Sequence, residues 1–353
     1  MEYRQLGSSG LKVSLHTLGT MNFSSGGYFG TIGSLSIKES QALVDMAVDH
    51  GVNLLDTSNA YTAGKSEEAL GEIIKGRSDQ LMVGTKVRFA MGNVPNEQGL
   101  SRFHIIHEAE ASLKRLGRDH IDLYFLHEWD GLTPVAEMME AMDTLVKQGK
   151  VRYVGCSNFS GWHIMKCMMA ADRHNFQKFV VQQIHYTIEA RDAEYELMPI
   201  AVDQGVGIQI WSPIAGGLLS GKFTRAKKPD ISRHLLGWSE PPIRDEDRLY
   251  RIIDALIEVG KAQGVSAAQV SLAWAATRPG VASIIVGARN EAQLKDNLAA
   301  VSLKLTAEDL KKLEDVSALP LIYPYWHQFN SASNRLGSAD MPLHAPHIAR
   351  RGS

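Results

Sequence analysis

Ile121-Asp-Leu-Tyr-Phe-Leu126, the stretch Val135–Gln148 and Val151-Arg-Tyr-Val-Gly-Cys-Ser157 read in turn as a short apolar run, an amphipathic helix and a second apolar run. Both runs are nearly continuous in apolar residues rather than alternating, which suits parallel strands covered on both faces. Thr133 and Pro134 predict an N-cap followed by proline at the first helical position. Gly117 and Gly149 stand where a left-handed C-cap is expected. Outward from this unit the alternation recurs. Strand candidates are Leu15–Leu18, Val52–Asp56, Leu81–Lys86, Phe179–Ile184, Gly207–Ser212 and Ala282–Val286, and helix candidates include Ile37–His50, Ile105–Leu116 and Trp162–Arg173.

Strands alternating with helices imply a closed barrel or a doubly wound open sheet. The open sheet of a dinucleotide-binding fold wants Gly-x-Gly-x-x-Gly after its first strand. The pair Gly26-Gly27 lies instead in a polar stretch that opens no helix. The expected fold class is therefore α/β, a (β/α)8 TIM barrel. Tyr3–Val13, with turn residues Gly7–Gly10, predicts a β-hairpin that caps the barrel floor. Residues 1–353 read as one domain. The insertion at about Gly221–Arg244, with Pro229, Gly237, Pro241 and Pro242, reads as a loop. The stretch from Leu319 to the end reads as an irregular tail, solvated over His347–Ser353.

Hydrophobic residues are 44% and charged residues 22%, enough for a sizeable core without metals or disulfides. Lys+Arg 37 against Asp+Glu 39, with no basic run, argues against nucleic acid or a membrane surface as partner. No apolar run approaches the roughly 20 residues of a membrane span, and the opening MEYRQLG lacks a signal peptide's apolar region. Cys156 and Cys167 are too close in the chain to define a disulfide framework, which points to a reducing, cytoplasmic compartment.

In a barrel of this kind the chemistry gathers at the C-terminal ends of the strands. One strand ends at Asp56, the next at Lys86, and the next is followed by His127; Tyr61 lies in the loop after Asp56. Taken singly, Asp56 reads as a turn cap, Lys86 as a surface charge, Tyr61 as a packing residue and His127 as a satisfied core histidine. At successive strand ends they read as an acid relay: a phenol to protonate an oxygen, an ammonium to lower the phenol's pKa and a carboxylate to hold the ammonium.

These residues carry a resemblance. Gly51-Val-Asn-Leu-Leu-Asp56-Thr-Ser-Asn-Ala-Tyr61 with Gly64-Lys-Ser-Glu67 resembles the first signature of the aldo-keto reductases. Val83-Gly-Thr-Lys86-Val is similar to their lysine strand and Ile121–His127 to their histidine strand. Gly149–Phe159, Gln183-Ile-His-Tyr186, Trp211–Lys222 and Ile285-Val-Gly-Ala-Arg289 with Gln293 and Asn297 match further motifs in order. The resemblance implies that Tyr61 protonates a carbonyl oxygen, that Lys86 and Asp56 tune it and that His127 orients the carbonyl. Hydride would come directly from a reduced nicotinamide.

For the cofactor, the resemblance puts Ser157, Asn158 and Gln183 on the nicotinamide carboxamide and Trp211 against its ring. Thr20 and Met21, at the first strand's end, and Asp56 join this set. Ser212, Pro213, Ile214, Gly216 and Lys222 would line the pyrophosphate, and Gly287, Arg289, Gln293 and Asn297 the adenosine end. Many family members place a lysine-serine pair and a later arginine around the 2′-phosphate. Here Gly287 and Ala288 take the pair's place and Gln293 the arginine's, leaving Arg289 as the evident cation. NADP(H) is the expected cofactor, with NAD(H) left open.

The expected activity is reduction of an aldehyde or ketone. The alternative from another class is a cofactor-sensing subunit resembling the β-subunits of potassium channels, which share the tryptophan at the Trp211 position. A barrel isomerase or aldolase would want a phosphate loop or a Schiff-base lysine, and the context of Lys86 points elsewhere. Phe23, Tyr28, Trp129, Trp238, Tyr323, Tyr325 and Trp326 lie in variable loops and suggest an aromatic-walled mouth for a bulky or ring-bearing carbonyl compound.

Overall fold

The apolar runs pair side by side, all in parallel, and close on themselves. In the computed structural model, which describes residues 1–24, 35–77, 81–228 and 242–351, two short strands come first: β1 (Tyr3–Gln5) and β2 (Lys12–Ser14), an antiparallel pair. The barrel follows: β3 (His16–Gly19), β4 (Leu54–Asp56), β5 (Met82–Val87), β6 (Ile121–Leu126), β7 (Val151–Ser157), β8 (Val181–His185), β9 (Gly207–Trp211) and β10 (Val281–Val286). Each pairs with the next, and β10 pairs with β3 through Ile285 opposite Thr17.

Helices cover the barrel from outside. They are α1 (Ile37–Asp49), α2 (Lys65–Ile73), α3 (Arg102–Leu116), α4 (Val135–Lys147), α5 (Gly161–His174), α6 (Leu197–Gln204), α7 (Glu246–Gln263), α8 (Ala267–Ala276), α9 (Glu291–Ala299) and α10 (Ala307–Ser317). Local chemistry sets their ends. Ser36 and Glu39 form a capping box at α1. Ser101 caps α3, and Gly117 ends it at φ +64. Gly149 also takes a positive φ after α4. Thr133 does not cap α4. Pro134 holds that position, and the Thr133 hydroxyl donates to Asp130 Oδ2 at 2.7 Å instead. Asp130 already accepts from the Leu100 and Leu132 N–H groups, so it draws the hydroxyl away from the helix.

The hairpin closes the floor. Leu6 and Val13 pack with Leu54, Leu123, Phe125, Val181 and Ala282 at the base of the barrel interior. Gly7 lies so close to the Gly205–Gly207 backbone that only glycine fits, and the Ser8 N–H donates to the Gly205 carbonyl at 2.7 Å. With that end plugged, the opposite end is the open mouth.

The stretch from Leu319 is not irregular, contrary to the sequence expectation. It forms α11 (Tyr325–Ala332) and α12 (Met341–Arg351), so His347–Arg351 are helical. Its prolines disguise it. Pro324 stands at the N-cap of α11 and Pro342 in the first turn of α12, where a missing N–H costs nothing; only Pro346 lies inside a helix. Of the insertion, residues 229–241 lie outside the described residues, as do Gly26, Gly27, Tyr28 and Trp238.

Candidate active site

Parallel pairing brings the polar strand ends to one level. Asp56 ends β4, Lys86 lies near the end of β5, and His127 follows β6, its N–H donating to the Val87 carbonyl at 2.9 Å. Lys86 Nζ donates to Asp56 Oδ2 at 2.7 Å, to the Thr57 carbonyl at 2.7 Å and to the Tyr61 hydroxyl at 3.4 Å. Lys86 is fully buried and Asp56 nearly so. Burial works against the charge of the Lys86 ammonium, but Asp56 and Tyr61 more than offset it, so Lys86 is held above its ordinary value. For Asp56, burial pushes the carboxyl up, opposed by Lys86 and by the Gln183 amide, whose Nε2 donates to Oδ1 at 2.8 Å.

Tyr61 is held by a strained turn. Thr62 and Ala63 follow it at φ 48 and 54, left-handed values that a side chain rarely adopts. A buried network braces this turn from behind: Glu67 accepts from Thr85 Oγ1 and Arg115 Nε, both at 2.5 Å, and Glu108 accepts from Arg115 and Asn59. The His127 ring lies 6.0 Å from the Tyr61 ring, centroid to centroid, with Ser58 Oγ 3.2 Å from its Nδ1. Burial, then the charges of Lys86 and Arg88, hold His127 well below its ordinary pKa, so it is neutral near pH 7. Ser58, Asn59, Glu108 and Arg115 were not singled out from the sequence. Only the adjacency of Ser58 and Asn59 to Asp56 could have drawn notice to them.

Beside this group lie the residues expected at a cofactor. Ser157 Oγ is buried without a hydrogen-bond partner, a polar atom free to receive one from an incoming group. Asn158, at φ 58, donates to the His127 carbonyl at 3.0 Å and accepts from Trp211 Nε1 at 2.9 Å. Trp211 is half-buried, its ring 4.7 Å from that of His185. Thr20 is buried, and its hydroxyl donates to the Asp56 carbonyl at 3.1 Å, so it braces that strand end; Met21 is half-buried beside it.

The loop from Ser212 to Gly217 puts Ser212, Ala215, Gly216 and Gly217 at positive φ. Its N–H groups do not form an open cradle. Ala215 N–H donates to the Ser212 carbonyl, Gly216 N–H to Ser212 Oγ and Gly217 N–H to the Ile214 carbonyl. Pro213 is buried, Ile214 half-buried and Lys222 exposed. Gly287 and Arg289 are exposed before α9. Gln293 Oε1 accepts from the Arg289 N–H at 3.0 Å, and Asn297 Nδ2 donates to the Gly287 carbonyl at 3.2 Å, so both brace this loop. Asn22 Nδ2 ties it to the end of β3 through the Ala288 carbonyl at 2.6 Å.

The aromatic wall is partly corrected. Phe23 is fully buried in the core rather than facing the mouth, because it joins the apolar cluster that also holds Leu18, Leu35 and Leu43. Trp129 stacks on His163 at 3.9 Å, and Tyr325 stacks on Tyr195 at 5.4 Å. Tyr323 and Trp326 are exposed.

A sequence model described as the Aldo/keto reductase family matches residues 17–318. A Bacillus subtilis (strain 168) protein named "Uncharacterized oxidoreductase YrpG" is 37% identical over 335 residues, covering 90% of this chain and 96% of that one. The "Probable voltage-gated potassium channel subunit beta" of Arabidopsis thaliana is 36% identical over 324 residues, with the same coverage of 90% and 96%. The "Versiconal hemiacetal acetate reductase" of Aspergillus parasiticus is 33% identical over 348 residues, covering 92% and 99%. With the closed barrel and the polar strand ends in register, these matches lead to one conclusion: the chain belongs to the aldo/keto reductase family.

Proposed function

We propose that this chain, acting as one barrel domain, reduces an aldehyde or ketone to an alcohol, with NADP(H) preferred over NAD(H). The observation that carries the reading is the buried contact of Asp56, Lys86 and Tyr61 at adjacent strand ends. Bound reduced nicotinamide supplies the hydride. Tyr61 donates its phenolic proton to the carbonyl oxygen as general acid, and takes it back in oxidation. Lys86, charged and dry, favours loss of that proton from the phenol, and Asp56 keeps Lys86 in place. His127, neutral, offers its Nε2–H to the same carbonyl oxygen when the Ser58 hydroxyl donates to Nδ1.

Ser157, Asn158 and Gln183 hold the carboxamide, and Trp211 lies against the nicotinamide ring, with Thr20 and Met21 alongside. The unpartnered Ser157 hydroxyl supports that assignment. Lys222 and the rim from Ser212 to Gly216, including Pro213 and Ile214, face the pyrophosphate. Gly287, Arg289, Gln293 and Asn297 take the adenosine end, where the N-terminus of α9 favours an anion. Both cysteines are buried and unpaired, which supports a reducing, cytoplasmic setting. Among the described residues no helix is long and apolar enough to cross a membrane.

Tyr61→Phe removes only the phenolic proton. It should lower carbonyl reduction by about 10²-fold or more and leave cofactor affinity nearly unchanged. Wild-type-like rates in steady-state assays would sink the mechanism. The similarity to proteins named as channel subunits supports a second reading, a cofactor-sensing regulatory subunit. Turnover of a generic aldehyde such as 4-nitrobenzaldehyde separates the two.

A further inference from the structure

A file of polar side chains crosses the barrel interior from the floor to Asp56. Ser283 Oγ donates its one proton to the Ser14 carbonyl at 2.8 Å. In the 2.7 Å contact between Thr17 Oγ1 and Ser283 Oγ, Thr17 must therefore be the donor. That leaves Thr17 Oγ1 as an acceptor, and Gln209 Nε2 donates to it at 3.2 Å. The Gln209 carbonyl oxygen is thereby turned towards Gln183, whose Nε2 donates to it at 2.8 Å. The other proton of the same Nε2 goes to Asp56 Oδ1 at 2.8 Å.

Every member of this file is buried. Each amide orientation is thus set by its neighbour, back to a backbone carbonyl at the floor. With both amide protons committed, Gln183 has only Oε1 left for a group arriving from the mouth. Turning the amide over would unpair buried groups and set an oxygen against the Asp56 carboxylate. Gln209 is also the polar exception in Gly207-Ile-Gln-Ile-Trp211, a strand otherwise apolar.

We propose that Gln209, anchored through Thr17 and Ser283, is a positioning residue for the reaction. It fixes the Gln183 amide so that Gln183 supports Asp56 and offers only its oxygen, an acceptor, to the carboxamide N–H of the cofactor. This inference rests on the roles given above to Asp56, Lys86 and Tyr61.

Two variants test it. Gln209→Met removes both hydrogen bonds at similar volume. Gln209→Glu, when protonated, keeps the pattern: its C=O accepts from Gln183 and its O–H donates to Thr17. Burial and the nearby Asp56 charge favour that protonated form. The readouts are Kd for NADP(H) and NAD(H) from tryptophan-fluorescence quenching, the pH–rate profile of alcohol oxidation, and the thermal unfolding midpoint. Gln209→Met should weaken both cofactors about equally, by about 3- to 10-fold, as for one neutral hydrogen bond. It should also move the oxidation profile to higher pH, because Asp56 then holds Lys86 less firmly. Gln209→Glu should bind as wild type at neutral pH and lose affinity as pH rises through its carboxyl titration.

Gln209→Met with a lower unfolding midpoint but unchanged Kd and pH profile overturns the proposal, since that is a stability role alone. If Gln209→Met does not fold, a Gln209→Glu protein whose cofactor affinity follows the wild type at every pH overturns it too. Tyr61→Phe, measured alongside, separates the two layers. If it loses turnover while Gln209→Met behaves as wild type, the fault lies in Gln209; if it keeps turnover, the reading of the site falls and takes this inference with it.

Discussion

Arg289 stands exposed between the end of β10 and the N-cap of α9, where Asn290 accepts from the Gln293 N–H at 2.9 Å. Arg289 thus directly precedes the helix terminus, and a guanidinium and a helix N-terminus both favour an anion. The adenosine 2′-phosphate, which NADP(H) carries and NAD(H) lacks, is the anion that would use them. A charge-assisted hydrogen bond contributes about 1.5–3 kcal/mol, or about ten- to a hundred-fold in affinity. Arg289→Ala should lose that factor for NADPH and little for NADH, read by fluorescence titration with each. Equal losses for the two cofactors, or none, would assign the preference elsewhere. The residue scale also shows what single positions conceal. Gln293 has the right type for a polar contact with a nucleotide, yet its side-chain oxygen is engaged with the Arg289 backbone. Sequence gives a residue type at a position; it does not give the direction in which its polar atoms are already committed.

Among the elements, strands were read most closely. Ile121–Leu126 and Val151–Ser157 form with the bounds their apolar runs suggest, because most of each run is buried on both faces and the charged Asp122 and Arg152 are confined to the entry ends. The C-terminal helices escape a sequence reading because proline and aromatic residues weigh against a helix in isolation, whereas Leu343 and His344 are buried, His344 beside the Tyr325 and Phe329 rings of α11. The hairpin depends on one close approach. At Gly7, φ is +57 and an added Cβ would stand 2.4 Å from the Gly205 carbonyl oxygen and 2.6 Å from the Gly207 nitrogen, both backbone atoms. Gly7→Ala should therefore destabilise the protein by about 1–3 kcal/mol from overpacking, beyond the cost of the left-handed backbone. Gly10→Ala meets no atom within 4 Å and serves as the control. Equal urea midpoints for the two variants would show that the hairpin does not rest on this contact.

For the whole molecule, buried histidines are one source of the response to acid. His16, at the barrel floor and 1% exposed, is pushed down from 6.5 to about 4 by burial. His185 is likewise pushed down to about 4, burial being the larger cause. A folded-state pKa below the unfolded value means that the unfolded chain binds more protons between these limits. Stability present above about pH 6.5 is then lost as pH falls towards 4, with His16 contributing about 3 kcal/mol of the loss. Urea unfolding of the wild type and His16→Leu across this range checks it, and the variant should decline less steeply. Parallel declines would remove His16 as a source.

Order along the chain settled the larger outline. Alternating apolar runs and amphipathic stretches require a layered α/β architecture, and motifs placed at the run ends mark which end of the barrel carries polar groups. Those features are local, so a single chain displays them. Closure of β10 on β3, the partners of Asn158, the commitment of both Gln183 amide protons and the N–H groups folded into the Ser212–Gly217 loop are decided only in three dimensions. Each of these depends on groups far apart in sequence, or on loop conformation, meeting at hydrogen-bond distance. That distance is fixed by packing of the whole barrel and not by the residues themselves.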